Sequence, residues 1–551
     1  MSTGTLRINR VDVPGRAVRC GELTWRDGVI HSWDDLGPED PDLHYLAPGF
    51  VDAHVHIESS LLPPSEFARL VVRHGTVATV SDPHEIANVL GIDGVRWMLD
   101  DASRTPLTIL FGASPCVPAT RFETSGARLD AAAVAELLDT PGVGYVSEVM
   151  DWPSVLAGEP DMLAKLDAAL SRGLPIDGHA PGVLGGALRD YASAGPSTDH
   201  ECSTLAEAEE KLAAGMRVLI REGGAARNFE ALHPLLTSHP GRVMLCTDDC
   251  HPSELVVGHI DRLAARAVAH GHDVFDVLTA VSLTPQEHYG LRLGALAVGD
   301  PMTAVVLRDL TDFQALATWI DGREVARDGV TLLPRSSVAP VNRFTAHPVT
   351  PEQLRLPGRG PSVRCRVIEA YDGELLTGSG TVTLAVTDGW VEPSVADDVL
   401  LLAVVNRYRP APPALGLIRG FQLKHGALAS SVAHDSHNVI GVGVDASSLA
   451  LAMNAVIAHR GGLAVVRNGV PDVLPLPIAG LMSDADGFEL ASRAAELTTA
   501  IRTELGSPMK SPFITLSFMS LLVIPALKLS DLGLFDAQHF AFTEVASSPS
   551  S

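Results

Sequence analysis

Residues 48–56 read PGFVDAHVH: a Pro-Gly turn, an apolar run, then histidines at 54 and 56. Along a strand, residues i and i+2 project from the same face, so His54 and His56 can reach one ion. Seven more β-rich runs follow: GTVATVSDP (75–83), LTILFGASP (107–115), VGYVSEV (143–149), LPIDGHA (174–180), PSTDHE (196–201), MRVLIREG (216–223) and VMLCTDD (243–249). Between them lie segments such as 131–138, 161–171 and 205–214, whose apolar residues recur at helical spacing. Eight β-then-α units across 50–295 predict a (β/α)₈, TIM-like barrel. A doubly wound open sheet would give the same alternation. Placement favours the barrel, because six of the eight runs carry a His, Asp or Glu at or just past the C-terminal end. Barrel active sites are built at that face.

Outward from the barrel, residues 1–49 carry β-like pieces such as GELTWRDGVIHSW (21–33), and a matching piece runs from 304 to 330. Neither can form a core alone. They are expected to combine into one small β-sheet domain, 1–49 plus 296–345, flanking the 50–295 barrel. A Pro- and Arg-containing stretch at 334–361 reads as a linker. Beyond it, 346–551 alternates β-like runs (TVTLAVTDGWVEP, 381–393; DVLLLAVVNRY, 398–408) with the helix-like SSLALAMNAVIAHRGG (447–462), predicting a C-terminal α/β domain. The Ser/Pro tail is expected to fray.

At 551 residues the chain suits about three or four domains, or one large barrel with additions. Hydrophobic residues make up 46%, enough to exclude disorder as the main state. Lys and Arg number 41 against 66 Asp and Glu, a net charge of −25, which argues against a nucleic-acid partner because phosphate binding needs clustered cations. The start, MSTGTLRINRVDVPG, lacks the charged-then-apolar pattern of a signal peptide. The longest uncharged apolar stretch near the end, 513–527, is too short for a membrane helix. Six single cysteines without a CxxC pair read as reduced thiols, so a cytoplasmic location with no membrane partner is expected.

The strand ends supply the chemistry. Glu148 ends the fourth run, His179 the fifth, His200 the sixth and Asp248 the eighth. With His54 and His56 they converge on one mouth. Imidazole and carboxylate suit Zn²⁺, Fe²⁺ or Mn²⁺, and six such ligands suffice for two ions. Asp249 competes with Asp248, since adjacent residues on a strand point to opposite sides. His84 and Glu85 end the second run and are candidates for a proton donor, an additional ion or supporting loop residues. His434, Asp435, His437 and Asn438 form a dense polar cluster far along the chain, read either as a loop closing over the substrate or as a capped turn. Glu58, Ser59 and Ser60 follow the His pair and can support a metal shell. Other motifs fail: PHEIANV (83–89) has Asn where HExxH needs its second His, and no GxxxxGK[ST] loop or HxE…PCxxC signature exists.

PGFVDAHVHIESS (48–60) resembles the first-strand motif of the amidohydrolase superfamily, and the surrounding sequence is similar to its bacterial adenine deaminases. The matching segments are 80–95, SPCVPAT (114–120), EVMDWP (148–153), DGHAPG (177–182), DHE (199–201), CTDDCHP (246–252), GALASSVAHDSHNVIGVG (426–443), LPLPIAGLMSD (474–484) and 517–534. The chain departs from the family at GDPMTAVV (299–306), in the small sheet domain. The resemblance implies a metal-dependent hydrolase converting adenine and water to hypoxanthine and ammonia in purine salvage, as a cytoplasmic dimer. It places His54 and His56 on one ion and His179 and His200 on the other, with Glu148 bridging and Asp248 as ligand and base. The ions would be Mn²⁺ or Fe²⁺, with Zn²⁺ also suited. Two other readings stand beside it: an amidohydrolase acting on a cyclic amide, an N-acetyl group or a related 6-substituted purine, and a non-catalytic barrel serving as a binding or regulatory protein.

Overall fold

The computed structural model describes residues 3–224 and 226–546. The end of the Ser/Pro tail, 547–551, lies outside them. Eight parallel strands form the barrel: Phe50–Val55, Thr76–Ser81, Thr108–Ala113, Val143–Val149, Ile176–Gly178, Thr198–Asp199, Arg217–Arg221 and Val243–Cys246. The first and last meet where Asp248 N–H donates to the His54 carbonyl (2.9 Å) and His56 N–H to that of Asp248 (3.3 Å). Parallel strands under a helical coat are buried on both faces, and Phe50–Val55 and Thr76–Ser81 are buried throughout. Local rules start the helices. Pro64 opens Pro64–Val71 at a position where its missing N–H costs nothing, and Asp130 caps Ala131–Leu138 by accepting from Ala133 N.

Strands Thr3–Asp12, Ala17–Arg26, Val29–Pro38 and Tyr45–Pro48 join Ala304–Leu307, Ala315–Ile320, Arg323–Arg327 and Val330–Thr331 in one eight-stranded sheet beside the barrel. The C-terminal part holds a nine-stranded sheet over 362–475, with helix Ala446–Ala458 packed against one end of it, over Ala427–Ser430, Val439–Gly443 and Gly462–Arg467. The architecture is the expected one: a barrel, a flanking sheet and a C-terminal α/β domain. The stretch at 334–361 is mostly irregular and runs against the barrel, where Trp97 Nε1 donates to Ala339 O (3.1 Å) and Arg104 Nη1 to Ser337 O (2.7 Å).

The barrel and the C-terminal domain share one apolar core, in which Leu61 and Leu62 cluster with Leu481 and Met482. Ser483 N–H donates to Leu61 O (2.9 Å), and Arg69 Nη1 donates to Asp486 Oδ2 (2.8 Å). The C-terminal domain therefore sits over the loop that follows the first barrel strand. No helix among the described residues is long and apolar enough to cross a membrane.

One packing feature has a measurable signature. The Lys528 side chain is fully buried, and its hydrogen bonds go to the carbonyls of Leu375 (2.6 Å) and Phe518 (2.9 Å). Burial pulls its ammonium down to about 7. The unfolded chain, titrating near the ordinary value of 10.5, then binds more protons than the folded one between pH 7 and 10.5. Folding stability from this group rises with pH in that window, by up to about 1.4 kcal/mol per pH unit. Thermal midpoints of wild type and Lys528→Met, compared at pH 7.5 and 9.5, are expected to shift relatively in favour of the wild type at the higher pH. A constant gap would show that the amine does not titrate there.

Candidate active site

The strand ends bring four imidazoles around one carboxylate. His54 Nε2 lies 2.8 Å and His56 Nε2 2.9 Å from Glu148 Oε1, and His179 Nδ1 lies 2.8 Å from Oε2. His200 Nε2 stands 3.6 Å from Oε1, and its ring stacks on that of His54 at 4.3 Å. Asp248 Oδ1 is 3.2 Å from His56 Nε2 and 3.7 Å from His54 Nε2. All six side chains are buried.

Their surroundings fix them. His56 Nδ1 lies 3.1 Å from the Asp82 carbonyl, placed to donate its N–H there and turn Nε2 into the mouth. The Tyr191 hydroxyl accepts from His179 N (3.1 Å) and donates to Val149 O (2.9 Å). Asp199 accepts from Ala180 N (2.9 Å) and Glu201 N (2.8 Å) and pairs with Lys211, buttressing the fifth and sixth strand ends. Arg221, at the end of the seventh strand, is a buried cation binding the carboxylates of Asp248 and Glu201.

Several buried polar atoms here make no well-directed hydrogen bond among the described residues, meeting at most other ligand-type groups or Arg221: Glu148 Oε1, His54 Nδ1, both nitrogens of His179, His200 Nε2 and Glu201 Oε1. An unpaired buried polar group is costly, and a cluster of them on ligand-type side chains fits a bound cation. His54, Glu148, His200 and Asp248 place ligand atoms within 4.8 Å of one another, as do His179, His200 and Glu201. This imidazole-and-carboxylate set suits divalent transition metals.

Without an ion the carboxylates hold protons on the ring: against burial, Glu148 and its neighbours raise His54, His56 and His179. Burial would raise the Glu148 carboxyl, but His200, His56 and His179 hold it well below the usual range. Burial opposes ionisation of Asp248 too, and Arg221 and His56 overcome it. Burial and the neighbouring His54 push His200 far down, leaving the neutral imidazole that a metal requires.

A second polar group faces the mouth from the C-terminal domain. His84 Nδ1 lies 3.0 Å from Asp82 Oδ2, and its Nε2 is 3.7 Å from Asp435 Oδ1. His434 Nδ1 is 3.5 Å from Glu85 Oε1, and its ring stacks on Phe518 at 4.8 Å. The Ser59 hydroxyl touches Glu85 Oε1 (2.7 Å) and Asp249 Oδ1 (2.5 Å). One hydroxyl proton cannot serve both oxygens, so one carboxyl carries a proton of its own. Burial pushes the Glu85 carboxyl up, against the pull of His434. A small pocket of about 40 Å³ opens between Ser59, Asp249, His434, Phe513 and Phe518.

The structure separates the HDSHN residues. His434 and Asp435 face the second strand end, whereas Asn438 accepts from Arg407 N (3.0 Å) and donates to Thr124 O (2.9 Å). His437 Nδ1 takes the Ala433 N–H (3.3 Å), within the same turn. Both shape the loop. Sequence reasoning missed Asp82, Glu201, Arg221 and Glu123. Glu201 and Asp82 lie inside the quoted DHE and VSDP segments, and Arg221 closes a barrel run, so a scan for cations at strand ends would have found it. Glu123, which accepts from Ser436 Oγ (2.7 Å), sits in an irregular loop without a signal.

Comparison with known proteins adds identity to this geometry. The Amidohydrolase family model matches residues 45–325, and that of the Adenine deaminase C-terminal domain matches 374–541. An adenine deaminase of Salinibacter ruber is 52% identical over 535 residues, covering 97% of each chain. One from a Sulfurovum species is 50% identical over 539 residues, covering 98% of this chain and 99% of that one. A third, from Methanosarcina acetivorans, is 46% identical over 545 residues, covering 97% and 98%. The chain belongs to the amidohydrolase family, and within it to the adenine deaminases.

Proposed function

We infer that the chain hydrolyses adenine to hypoxanthine and ammonia. The observation that carries the reading is the ring of His54, His56, His179 and His200 around Glu148, with Asp248 beside it. In this reading His54 and His56 would hold one divalent ion and His179 and His200 a second, with Glu148 and Asp248 as further ligands. The ions, Mn²⁺ or Fe²⁺ with Zn²⁺ also suited, supply the nucleophile by lowering the pKa of water.

The chain's own groups handle the protons. Asp248, steadied by Arg221, accepts a proton as the new oxygen–C6 bond forms and delivers it to the departing nitrogen. The exocyclic C6–N bond then breaks and ammonia leaves. Asp248 is preferred over Asp249 because it stands within 3.7 Å of both His54 and His56, whereas Asp249 is engaged by Ser59. Glu85, held by Ser59, gives a proton to a ring nitrogen of the purine and is reprotonated by the second proton of the attacking water as the C6 oxygen becomes a carbonyl. His84, His434 and Asp435 line the substrate's side of the mouth, with His437 and Asn438 shaping their loop.

The reading extends to purine salvage in the cytoplasm, supported by six free buried cysteines, and to a homodimer. It takes the barrel, the flanking sheet and the C-terminal domain as three working units, 50–295, 1–49 plus 296–345, and 346–551. Protein loaded anaerobically with Mn²⁺ or Fe²⁺ is expected to release one ammonia per hypoxanthine formed from adenine. Turnover of a cyclic amide with adenine untouched would replace this reading with another amidohydrolase activity. Bound metal with no turnover of either would favour the binding-protein alternative.

A further inference from the structure

Away from the mouth, the chain reads HGH at 270–272, and His233 and Glu230 pack against those two histidines. Helix Ile260–Ala269 ends on His270, whose N–H donates to Arg266 O (3.0 Å) and Ala267 O (3.1 Å). Gly271 takes φ +90, and His272 N–H returns to Ala267 O (3.3 Å), so both imidazoles fold back over the helix end. The short helix Phe229–Leu232 ends on His233 beside them. Such helix ends carry the negative pole of the helix, which favours a cation.

The side chains are arranged as ligands. His233 Nδ1 and His272 Nε2 are 2.9 Å apart. Two nitrogens on one tetrahedral zinc, each at ~2.0–2.1 Å, stand about 3.3 Å apart, so a small opening admits the ion. Glu230, His233 and His270 each place a ligand atom within 4.8 Å of the others. Thr237 Oγ1 lies 2.7 Å from His272 Nδ1, positioned to accept that N–H, so that the Nε2 lone pair points at His233 Nδ1, whose proton an ion would replace. Such a partner on the far nitrogen is the usual companion of a ligating histidine. Burial and the neighbouring His270 lower His233, and burial and His233 lower His272. Arg266 is the resident competitor, pairing with Glu230 and with Glu222 (2.7 Å) over the Phe229 ring. It can keep Glu222 and the ring when an ion takes Glu230.

We propose that Glu230, His233, His270 and His272 form a zinc-binding site on the outer wall of the barrel, clamping the seventh β/α unit to the eighth. Imidazole-dominated ligands select Zn²⁺ or its neighbours over Mg²⁺ and Ca²⁺. The ion plays no part in turnover. The test titrates Zn²⁺ into protein whose catalytic ions are already in place, and compares wild type with His270→Ala/His272→Ala and with Glu230→Gln. Wild type is expected to take up one more equivalent than the double variant and to gain thermal midpoint on doing so. Glu230→Gln, which keeps the fold and all three imidazoles, is expected to bind that equivalent several-fold more weakly. Adenine turnover is expected to be the same in all three. Equal zinc uptake and equal thermal response in wild type and both variants would overturn the proposal.

Discussion

Replacing Glu148 by Gln is expected to lower adenine turnover by roughly 10³-fold or more, as loss of one organised charge-stabilising group alone costs about 10²–10³-fold. The reason lies in the contacts. Both carboxylate oxygens are in use, Oε1 by His54 and His56 and Oε2 by His179, and a carboxamide presents an N–H₂ to one of those sides. The negative charge that would hold a cation among these imidazoles is lost as well. Metal content of the purified variant is expected to fall with activity, while circular dichroism stays that of the wild type. Full metal content with near-normal turnover would remove Glu148 from the metal ligands.

Asp248→Asn is expected to separate binding from chemistry. His54, His56, Glu148, His179 and His200 remain, so substantial metal binding is retained. The missing proton acceptor is expected to cost about 10²–10⁴-fold in kcat, the usual contribution of a positioned base. KM for adenine is expected to change far less. The parallel Asp249→Asn variant, affecting the carboxyl that meets Ser59 at 2.5 Å, is expected to lose much less of kcat. The reverse order of damage would transfer the role to Asp249.

The barrel was legible because its signal repeats: eight apolar runs separated by helical periodicity, with ligand-type residues at the run ends. His54, His56, Glu148, His179 and His200 could be listed before their distances were known, since each closes or follows a buried strand. The choice between Asp248 and Asp249 was not legible. The rule of opposite faces holds only for extended backbone, and the strand stops at Cys246, after which Asp248 adopts φ +57. That left-handed turn brings Asp248 back to the histidines and leaves Asp249 near Ser59 and Glu85. Arg221 was passed over because a basic residue at a mouth of metal ligands looks out of place until Asp248 and Glu201 are seen around it. The approach of His434 and Asp435 to His84 and Glu85 depends on how the C-terminal domain docks, across some 350 residues of chain, and no local pattern encodes it.

The most direct test is anomalous diffraction at the manganese edge from crystals of Mn²⁺-loaded, active protein holding hypoxanthine. The expected map has two peaks flanking Glu148, one within bonding distance of His54 and His56 and the other of His179 and His200, with the purine beside them under His434. Peaks bound by other residues, or hypoxanthine bound away from this mouth, would contradict the account.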